Sequence, residues 1–493
     1  HGVLNIISDV QQVQSKYFDY IVVGGGTTGC PLAATLSKRY TVLLVERGGS
    51  PFEDPFIMEK KNFFRSASQV NEFTSIIQKF ESEEGVANYR GRVLGGTTAI
   101  NGGIYTRSNK EYIERAGWDG KLVKEAYEWV ESKVIFEPKE LTKEQSYAKD
   151  IFVGAGILPF NGYSLEHVEG TKITGTLFDE NEIRHCSAHL LEAGDPKRLT
   201  VLLNATVKNI IFSQGTKPRA CGIRFIKSHE DLEISYEAYL NCSFDGESWG
   251  DVVLCAGAMG SPQILMLSGI VPSEHLVQFN ITPMVNAPQV GQDVKDHPGI
   301  IFMLDVIDVP QAYGDPSQVI GITNNSKFLF QYGGGRLKKN KQLRSILGKL
   351  AYPRSKGMVK LNSVDPRKNP SVKFNYLLEE KDLDECVEMV HEMKKIARSM
   401  DSLLGTNYSE KIDIVSSGDK KQGNDGYSNG IFSEERLKEF CKMNKGSYLH
   451  SHRGCSVGSV VDKDYKVFGV EGLRVVDTSA LSDLMSPMGT LHG

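Results

Sequence analysis

The chain has 493 residues, of which 40% are apolar and 24% charged, and its formal net charge is −4. A chain of this length is long for one hydrophobic core, so two or more domains are expected. The small negative charge gives no broad basic field, which argues against nucleic acid as a partner. No apolar run approaches the ~20 residues that cross a bilayer, so no membrane partner is expected.

Cysteine and asparagine usage bear on metal binding and on the cellular compartment. The eight cysteines form no C-x-x-C pair, which argues against structural zinc and against a redox-active dithiol. The chain begins at His1 without an initiator methionine or a signal peptide, as expected of a processed product. Asn-X-Ser/Thr sequons favour the secretory pathway (apoplast, vacuole or endoplasmic reticulum). They begin at Asn204, Asn241, Asn280, Asn324 and Asn407.

The first predicted elements are a strand, a glycine-rich turn and a helix. The apolar run Asp19–Val23 predicts a short buried strand, and Cys30–Ser37 predicts a helix. Between them, Gly24, Gly26 and Gly29 have the G-x-G-x-x-G spacing. Such glycines permit a tight turn, close approach of the backbone to a pyrophosphate, and close packing of helix on strand.

A second strand completes this unit. It runs from Thr41 to Val45 and ends at Glu46, about 20 residues after the first glycine, where a carboxylate commonly binds a ribose 2′-hydroxyl. A glycine-rich turn without a ligand would not explain this acid. The unit therefore predicts an adenine dinucleotide, and Glu46 argues against a 2′-phosphate.

A second glycine-rich stretch lies between Tyr89 and Arg107. Its five glycines and small hydroxyl residues allow the backbone to lie flat against a ligand, because no bulky side chain holds it away. The alternative is a helix N-terminus capped by Thr97 or Thr98.

Further elements follow in chain order. Residues 1–16 are predicted to be irregular, and residues 51–84 to be loop with short helix. Helices are predicted at Tyr112–Lys133, Asp382–Met400 and Phe432–Met443, and paired strands at Thr200–Phe212 and Ala220–Ile226.

A second strand–turn–helix lies far from the first in sequence. The strand Asp251–Cys255 leads into a glycine-containing turn, and Ser261 and Pro262 are predicted as the cap and first residue of the helix. The dinucleotide-binding domain is therefore predicted to be discontinuous.

The tightest histidine cluster is His450-Ser451-His452. Three interpretations stay open from the residues alone. In the first, His450 and His452 would be metal ligands on one face of a strand, but no third ligand lies nearby in the sequence. Buried histidines satisfied by the backbone are common. A general base is the third, because the imidazole pKa lies near working pH.

Together these motifs resemble the glucose–methanol–choline (GMC) oxidoreductase family, in particular the plant FAD-containing mandelonitrile lyases and HOTHEAD-like proteins. The resemblance covers nearly the whole chain. The matching stretches are Gly24–Glu46, Gly91–Arg107, Gly257–Pro272, Ser447–Gly458 and Leu473–Ala480.

The resemblance implies FAD as the cofactor. It assigns the first glycines and Glu46 to the ADP half, Thr97 and the backbone of residues 101–104 to the isoalloxazine, Val207 to the adenine side, and Asp477 to the pyrophosphate and ribityl chain. The implied FAD-binding residues are Gly24, Gly26, Thr27, Thr28, Gly29, Glu46, Arg47, Val93, Gly96, Thr97, Asn101, Gly102, Gly103, Ile104, Val207, Asp477 and Thr478.

The resemblance also implies the residues that carry the reaction. His452 matches the active-site base, and His492 is the candidate for the second catalytic position, although Leu491 aligns with that position. Tyr448, His450 and Arg453 are expected near the substrate. Cys386 and Cys441 match a pair that is bridged in the almond-type lyases, and free core thiols are the alternative. No metal site is implied.

The implied fold class is α/β, with a discontinuous, Rossmann-like FAD-binding domain and an α+β substrate domain on an antiparallel sheet. The FAD-binding domain is predicted from residues 17–110, 200–298 and 445–493. The substrate domain is predicted from residues 111–199 and 299–444.

The predicted function is oxidation of a primary or aromatic alcohol to an aldehyde, with a proton taken by His452 and a hydride by flavin N5. The first alternative is a hydroxynitrile lyase that cleaves an aromatic cyanohydrin to aldehyde and cyanide without a redox change of FAD. The second is a catalytically weak FAD-binding protein. The partner is thus a small-molecule alcohol or cyanohydrin, and a monomer is expected.

Overall fold

A computed structural model describes most of the chain. The described residues are 4–62, 75–213, 215, 217–230, 234–241, 250–271, 273–305, 317–338, 341–410 and 434–482. The predicted second catalytic position, His492, lies outside the described residues.

A six-stranded sheet, in which every neighbouring pair is parallel, forms one half of the structure. Its strands come from the beginning, the middle and the end of the described chain, so this half is assembled from separated segments as predicted. In spatial order they are Asn5–Ile7, Leu199–Leu202, Val42–Val45, Tyr20–Val23, Val252–Leu254 and Leu473–Val475.

This parallel sheet is covered on both faces. Leu43 and Val45 belong to one hydrophobic cluster, and Val42 and Leu44 to another on the opposite face. A strand buried on both faces needs apolar residues at every position, because successive side chains point to opposite sides. This explains the uninterrupted Val-Leu-Leu-Val run, in which all four residues are buried.

A seven-stranded sheet forms the other half. Its neighbouring strands are antiparallel, except for the edge pair Phe160–Tyr163 and Gly170–Ile173, which is parallel. In spatial order the strands are Lys445–Ser447, Pro298–Asp305, Lys341–Leu350, Phe328–Lys338, Val319–Ile322, Gly170–Ile173 and Phe160–Tyr163.

Three helices pack on one face of the seven-stranded sheet: Lys143–Gly154, Glu380–Leu404 and Glu434–Asn444. They share one hydrophobic cluster with the sheet. Cys386 and Cys441 form a disulfide bond that joins two of these helices, which confirms the predicted pair.

Smaller sheets and helices complete the described structure. A four-stranded sheet contains Ala205–Phe212, Ala220–Lys227, Tyr236–Leu240 and Tyr17–Phe18, and a three-stranded sheet contains Gln292–Val294, Gly357–Lys360 and Ser371–Lys373. The two-stranded pairs are Ile77–Glu81 with Ala87–Gly91, and Ile104–Tyr105 with Gly175–Thr176. The remaining α-helices are Gly29–Ser37, Pro55–Met58, Lys110–Arg115, Gly120–Val134, Gly257–Leu267 and Ser273–Val277. Short 3₁₀ helices are Val10–Gln12, Lys60–Asn62, Gly96–Ala99, Ser187–Ala193, Asn324–Ser326 and Thr478–Ala480.

Two predictions about local structure were wrong near the beginning of the chain. Asn5–Ile7, expected to be irregular, is an edge strand that pairs with Leu199–Leu202. Ile77–Glu81, expected to be loop or short helix, is a strand paired with Ala87–Gly91. Such short strands are stabilised by pairing with segments remote in sequence or by a hairpin partner, so their own pattern is weak.

Two predicted helices also differ in their bounds. The single helix expected at Tyr112–Lys133 is divided, because Gly117 has φ +70° and Asp119 caps the second helix through its carboxylate. The helix expected to begin at Pro262 begins at Gly257 instead, with Pro262 inside it.

No helix within the described ranges is long and apolar enough to cross a membrane.

Removing the disulfide is expected to destabilise the helical face of the seven-stranded sheet. Its two cysteines are 55 residues apart, and opening a loop of this kind typically lowers the free energy of unfolding by about 2–4 kcal/mol. Chemical denaturation of the Cys386→Ser/Cys441→Ser variant measures this loss. Cys221→Ser, at a half-buried cysteine outside the disulfide, is the control and should cost less than about 1 kcal/mol. Equal stability of the double variant and the parent would contradict the expectation.

Candidate active site

The two outer glycines of the turn after the strand Tyr20–Val23, Gly24 and Gly29, have no room for a side chain. Gly24 has φ +104°, and a Cβ there would lie 2.5 Å from the carbonyl oxygen of Cys255. A Cβ on Gly29 would lie 1.9 Å from the carbonyl oxygen of Gly24. These contacts place the N-terminus of the helix Gly29–Ser37 at the end of the strand, where its free N–H groups suit a phosphate.

A second backbone segment meets this turn face to face. Gly96 has φ +55°, and a Cβ there would lie 2.8 Å from Cα of Gly26. Gly96 begins the short 3₁₀ helix Gly96–Ala99, so Thr97 lies directly beside the turn. The cap interpretation of this stretch is wrong, because the N-cap is Gly95 and both Thr97 and Thr98 lie inside the short helix. The interpretation of a backbone lying flat against a ligand stays a prediction, and Gly96 supplies the close approach that it needs.

Glu46 is held in a fixed orientation at the end of the next strand. It is 6% exposed. One carboxylate oxygen accepts the N–H of Gly25 at 2.9 Å, and the other accepts the N–H of Gly48 at 2.8 Å. Burial raises the pKa of Glu46. Each oxygen keeps acceptor capacity, which suits ribose hydroxyl groups at this edge of the sheet.

Asp477 links the end of the strand Leu473–Val475 to the N-terminus of the helix Gly257–Leu267. Its Oδ2 accepts the N–H of Gly257 at 2.8 Å and the hydroxyl of Ser261 at 2.5 Å. Its Oδ1 accepts the N–H of Ser479. Ser261 therefore binds Asp477 from inside the helix, which is why it does not cap a helix beginning at Pro262.

One continuous pocket connects these features with the histidine segment. Thirteen predicted site residues line it: Gly24, Gly26, Thr27, Thr28, Glu46, Arg47, Gly96, Thr97, Val207, His450, His452, Asp477 and Thr478. The other predicted cofactor- and substrate-binding residues within the described ranges do not line the pocket: Gly29, Val93, Asn101, Gly102, Gly103, Ile104, Tyr448 and Arg453.

The loop with Asn101 and Ile104 does not line the pocket and is held by Arg184. The Arg184 side chain is 1% exposed. Its guanidinium donates to the carbonyl oxygen of Thr98 at 3.1 Å and to both oxygens of Asn101, at 2.9 Å to Oδ1 and 2.8 Å to the carbonyl. Arg184 was missed in the sequence, where a single arginine among polar residues carries no signal.

Arg453 is directed away from the pocket. Its backbone has φ +69°, and its guanidinium donates to Ser456 Oγ at 3.1 Å and lies 3.5 Å from Asp293 Oδ2. The expected contact of Arg453 with substrate is not supported by this placement.

His452 is almost completely enclosed, with 1% of its surface exposed. Its Nδ1 lies 3.1 Å from the carbonyl oxygen of His450, so Nδ1 carries the proton and Nε2 is the acceptor. Burial, together with Lys295, Arg453 and Lys349, lowers the pKa of His452 to about 3. Burial thus acts against the pKa near working pH that was expected for His452.

His450 is less buried and has a charged partner. Its side chain is half-buried, and its Nδ1 lies 2.8 Å from Nζ of the buried Lys349. Lys349 also lies 5.0 Å above the centre of the Tyr448 ring. Lys349 was not predicted from the sequence, because it lies about 100 residues before the histidines and only sheet pairing brings it near.

Asp296 fixes the backbone of the histidine segment. This carboxylate is 3% exposed. It accepts the N–H of His450 at 2.9 Å, the hydroxyl of Tyr376 at 2.6 Å, and the hydroxyl of Ser447. Removing Asp296 would leave these donors buried without an acceptor, so the segment depends on it.

Among the described residues, no group of three or more histidine, cysteine, aspartate or glutamate side chains is arranged to hold a metal ion.

Comparison with protein families gives a match to the GMC oxidoreductase models over residues 18–299 and 353–491. The chain belongs to the GMC oxidoreductase family. Curated relatives include HOTHEAD of Arabidopsis thaliana, which is 36% identical over 95% of this chain and 85% of its own length. The (R)-mandelonitrile lyase 3 of Prunus serotina is 37% identical over 94% of this chain and 81% of its own length. The sinapyl alcohol oxidase Nec3 of Nesocodon mauritianus is 35% identical over 94% and 84%.

Solved structures share the fold of this GMC oxidoreductase. Formate oxidase matches with a TM-score of 0.73 and 18% identity over 97% of this chain and 96% of its own. A fungal aryl-alcohol oxidase matches with a TM-score of 0.69 and 17% identity over 94% and 95%. The predicted fold class is confirmed, and the family supports FAD as the cofactor. The five segment boundaries of the two domains stay a prediction.

Replacing Gly29 by alanine is expected to abolish FAD binding, because its Cβ would overlap the Gly24 carbonyl that shapes the turn. Flavin absorbance per protein after reconstitution measures this, and we expect at least a tenfold loss of affinity. Gly120→Ala is the matched control: Gly120 also begins an α-helix, but a Cβ there meets nothing within 4 Å. A yellow, fully loaded Gly29→Ala protein would contradict the proposed position of the pyrophosphate.

Proposed function

We propose that this GMC oxidoreductase oxidises a primary or aromatic alcohol to an aldehyde with FAD. The observation that carries the proposal is that one pocket runs continuously from the glycine turn at Gly24 to the imidazoles of His450 and His452. Because the turn and the two histidines line the same pocket, an adenine dinucleotide bound at the turn would bring its reactive ring towards the histidines.

The residues present fit FAD. Gly24, Gly26 and Gly96 line the pocket with main chain alone, Glu46 has oriented acceptors for ribose hydroxyls, and Thr97 lines the same pocket. When bound, FAD supplies the acceptor for the hydride that leaves the alcohol carbon. The protein's part is to hold the alcohol and to take its hydroxyl proton.

Between the two imidazoles, we favour His450 as the base. Both imidazoles line the pocket, but His450 is half-buried and hydrogen-bonded to Lys349, whereas His452 is 1% exposed and burial lowers its pKa. A general base must accept a proton near working pH. His452, the base expected from the sequence, then serves as a neutral neighbour whose Nε2 accepts a hydrogen bond.

Cleavage of an aromatic cyanohydrin is the second candidate. The observation that favours it is the buried Lys349 next to His450, since a positive charge at the site would stabilise departing cyanide. The similarity to the mandelonitrile lyase is as high as that to HOTHEAD, so sequence identity does not separate the two reactions.

A secretory location is a further part of the proposal. The disulfide between Cys386 and Cys441 supports it, because disulfides persist in oxidising compartments.

Anaerobic mixing distinguishes the two reactions. The FAD-loaded protein is combined separately with aromatic alcohols and with mandelonitrile, and flavin absorbance and free cyanide are followed. Bleaching of the flavin by an alcohol without cyanide supports oxidation. Release of cyanide without bleaching would replace it by the lyase reaction, and neither signal would overturn both.

Conservative replacement of each histidine identifies the base. His450→Gln is expected to lower the rate of flavin reduction at least 1,000-fold, whereas His452→Gln should lower it by only about tenfold, because loss of a general base typically costs 10²–10⁴-fold. Stopped-flow absorbance measures both rates, with FAD content as the control for folding. The opposite order would restore His452 as the base.

A further inference from the structure

A buried lysine lies behind the proposed base. Lys349 is 0% exposed and sits on the strand Lys341–Leu350, opposite Gly299 and Leu329 on the two neighbouring strands. Its neighbours Gly348 and Leu350 pack towards the helices. Alternation along a strand therefore directs Lys349 to the opposite face, towards the histidines.

The groups around Lys349 hold its amine against His450. Its Nζ lies 2.8 Å from His450 Nδ1, and the carboxylate of Asp296 interacts with it electrostatically. His297 and His452 also interact electrostatically with Lys349. His297 Nδ1 donates to the carbonyl oxygen of Leu350, and the Tyr448 ring covers the amine.

The contact between Lys349 and His450 has two forms. An ammonium can only donate, so a charged Lys349 makes His450 Nδ1 an acceptor and puts the ring proton on Nε2. A neutral amine can accept from Nδ1–H, which leaves Nε2 unprotonated. Only the second form gives His450 a basic nitrogen directed away from Lys349.

We propose that Lys349 is a positioning residue for the reaction, which selects the tautomer of His450 and accepts its Nδ1 proton when Nε2 takes one from the substrate. This inference rests on the proposed function. The O–H bond of the substrate breaks, its electron pair stays on oxygen, and an N–H bond forms at Nε2. At the same time the Nδ1–H bond breaks and a new N–H bond forms at Nζ, giving an ammonium beside Asp296.

The surroundings of Lys349 permit this exchange near neutral pH. Burial lowers the pKa of Lys349 to about 7, against the opposing effect of Asp296. The amine is therefore the major form above that pH, and the ammonium below it. Activity should rise with pH as Lys349 loses its proton, because only then does His450 present an unprotonated Nε2.

Lys172 supplies a matched control. It lies in the same sheet, on the strand Gly170–Ile173, and is also 0% exposed. Burial lowers its pKa to about 7 as well. Its Nζ donates to Thr106 Oγ1 and to the carbonyl oxygen of Glu166, so it shares the burial of Lys349 without a histidine partner.

The discriminating variant is Lys349→Arg. A guanidinium keeps the positive charge and the donor but does not deprotonate, so it should hold His450 with its proton on Nε2 at every pH. We expect the rate of flavin reduction by the alcohol to fall at least 100-fold and to lose its rise near pH 7. In Lys349→Met the rate of flavin reduction should fall about tenfold, and the pH at which this rate rises should be displaced by at least half a pH unit. Lys172→Met should keep the position of the rise.

The ring nitrogens of His450 give a readout independent of turnover. In the FAD-loaded protein with ¹⁵N-labelled histidine, the His450 signal, assigned with His450→Gln, should change from the Nε2–H to the Nδ1–H tautomer as pH rises. Lys349→Arg should keep the Nε2–H form throughout. If the parent protein reduces no flavin with any alcohol, the proposed function fails while this titration still tests Lys349.

Three results would overturn the inference. The first is a Lys349→Arg protein with the parent rate and pH profile, which would limit Lys349 to an electrostatic role. The second is a His450 tautomer that is the same at every pH in the parent and in Lys349→Arg. The third is a pH profile displaced equally by Lys172→Met, since that shift would reflect the sheet and not the contact with His450.

Discussion

Two backbone segments, at Gly26 and at Gly96, come into direct contact beside the pocket, and the rest of the site depends on this contact. At Gly26 and Gly96 no side chain separates the two backbones, and a Cβ on Gly96 would lie 2.8 Å from Cα of Gly26. The turn from the first strand and the start of the short helix Gly96–Ala99 thereby line the pocket together. Glycine is needed here for steric reasons, and it also exposes the N–H groups that a diphosphate requires.

Buried acids connect the distant parts of the site. Glu46 holds the glycine turn through Gly25, and Asp477 joins the last strand to the helix that begins at Gly257. Asp296 holds the backbone of His450. In each case a buried carboxylate is stabilised by several donors, which keeps the backbone in one arrangement. The imidazoles are thus fixed by buried polar contacts as much as by hydrophobic packing.

The two histidines differ although they are two residues apart. His452 donates to a backbone carbonyl inside the protein, and burial keeps it neutral. His450 is half-buried at the pocket and shares a hydrogen bond with Lys349. Two identical side chains in the sequence therefore differ in the fold, because the environment of each imidazole decides whether it can change its protonation state.

The sequence by itself determined the local units and the family. The glycine turn from Gly24, the carboxylate of Glu46 and the apolar strands were predictable, since each depends on residues close together in the chain. Only the tertiary structure decided what lies next to the histidines. Lys349, Asp296 and Arg184 reach the site through sheet pairing and buried contacts between residues 80 or more positions apart. The low pKa of His452 follows from burial, a property that residue spacing does not report.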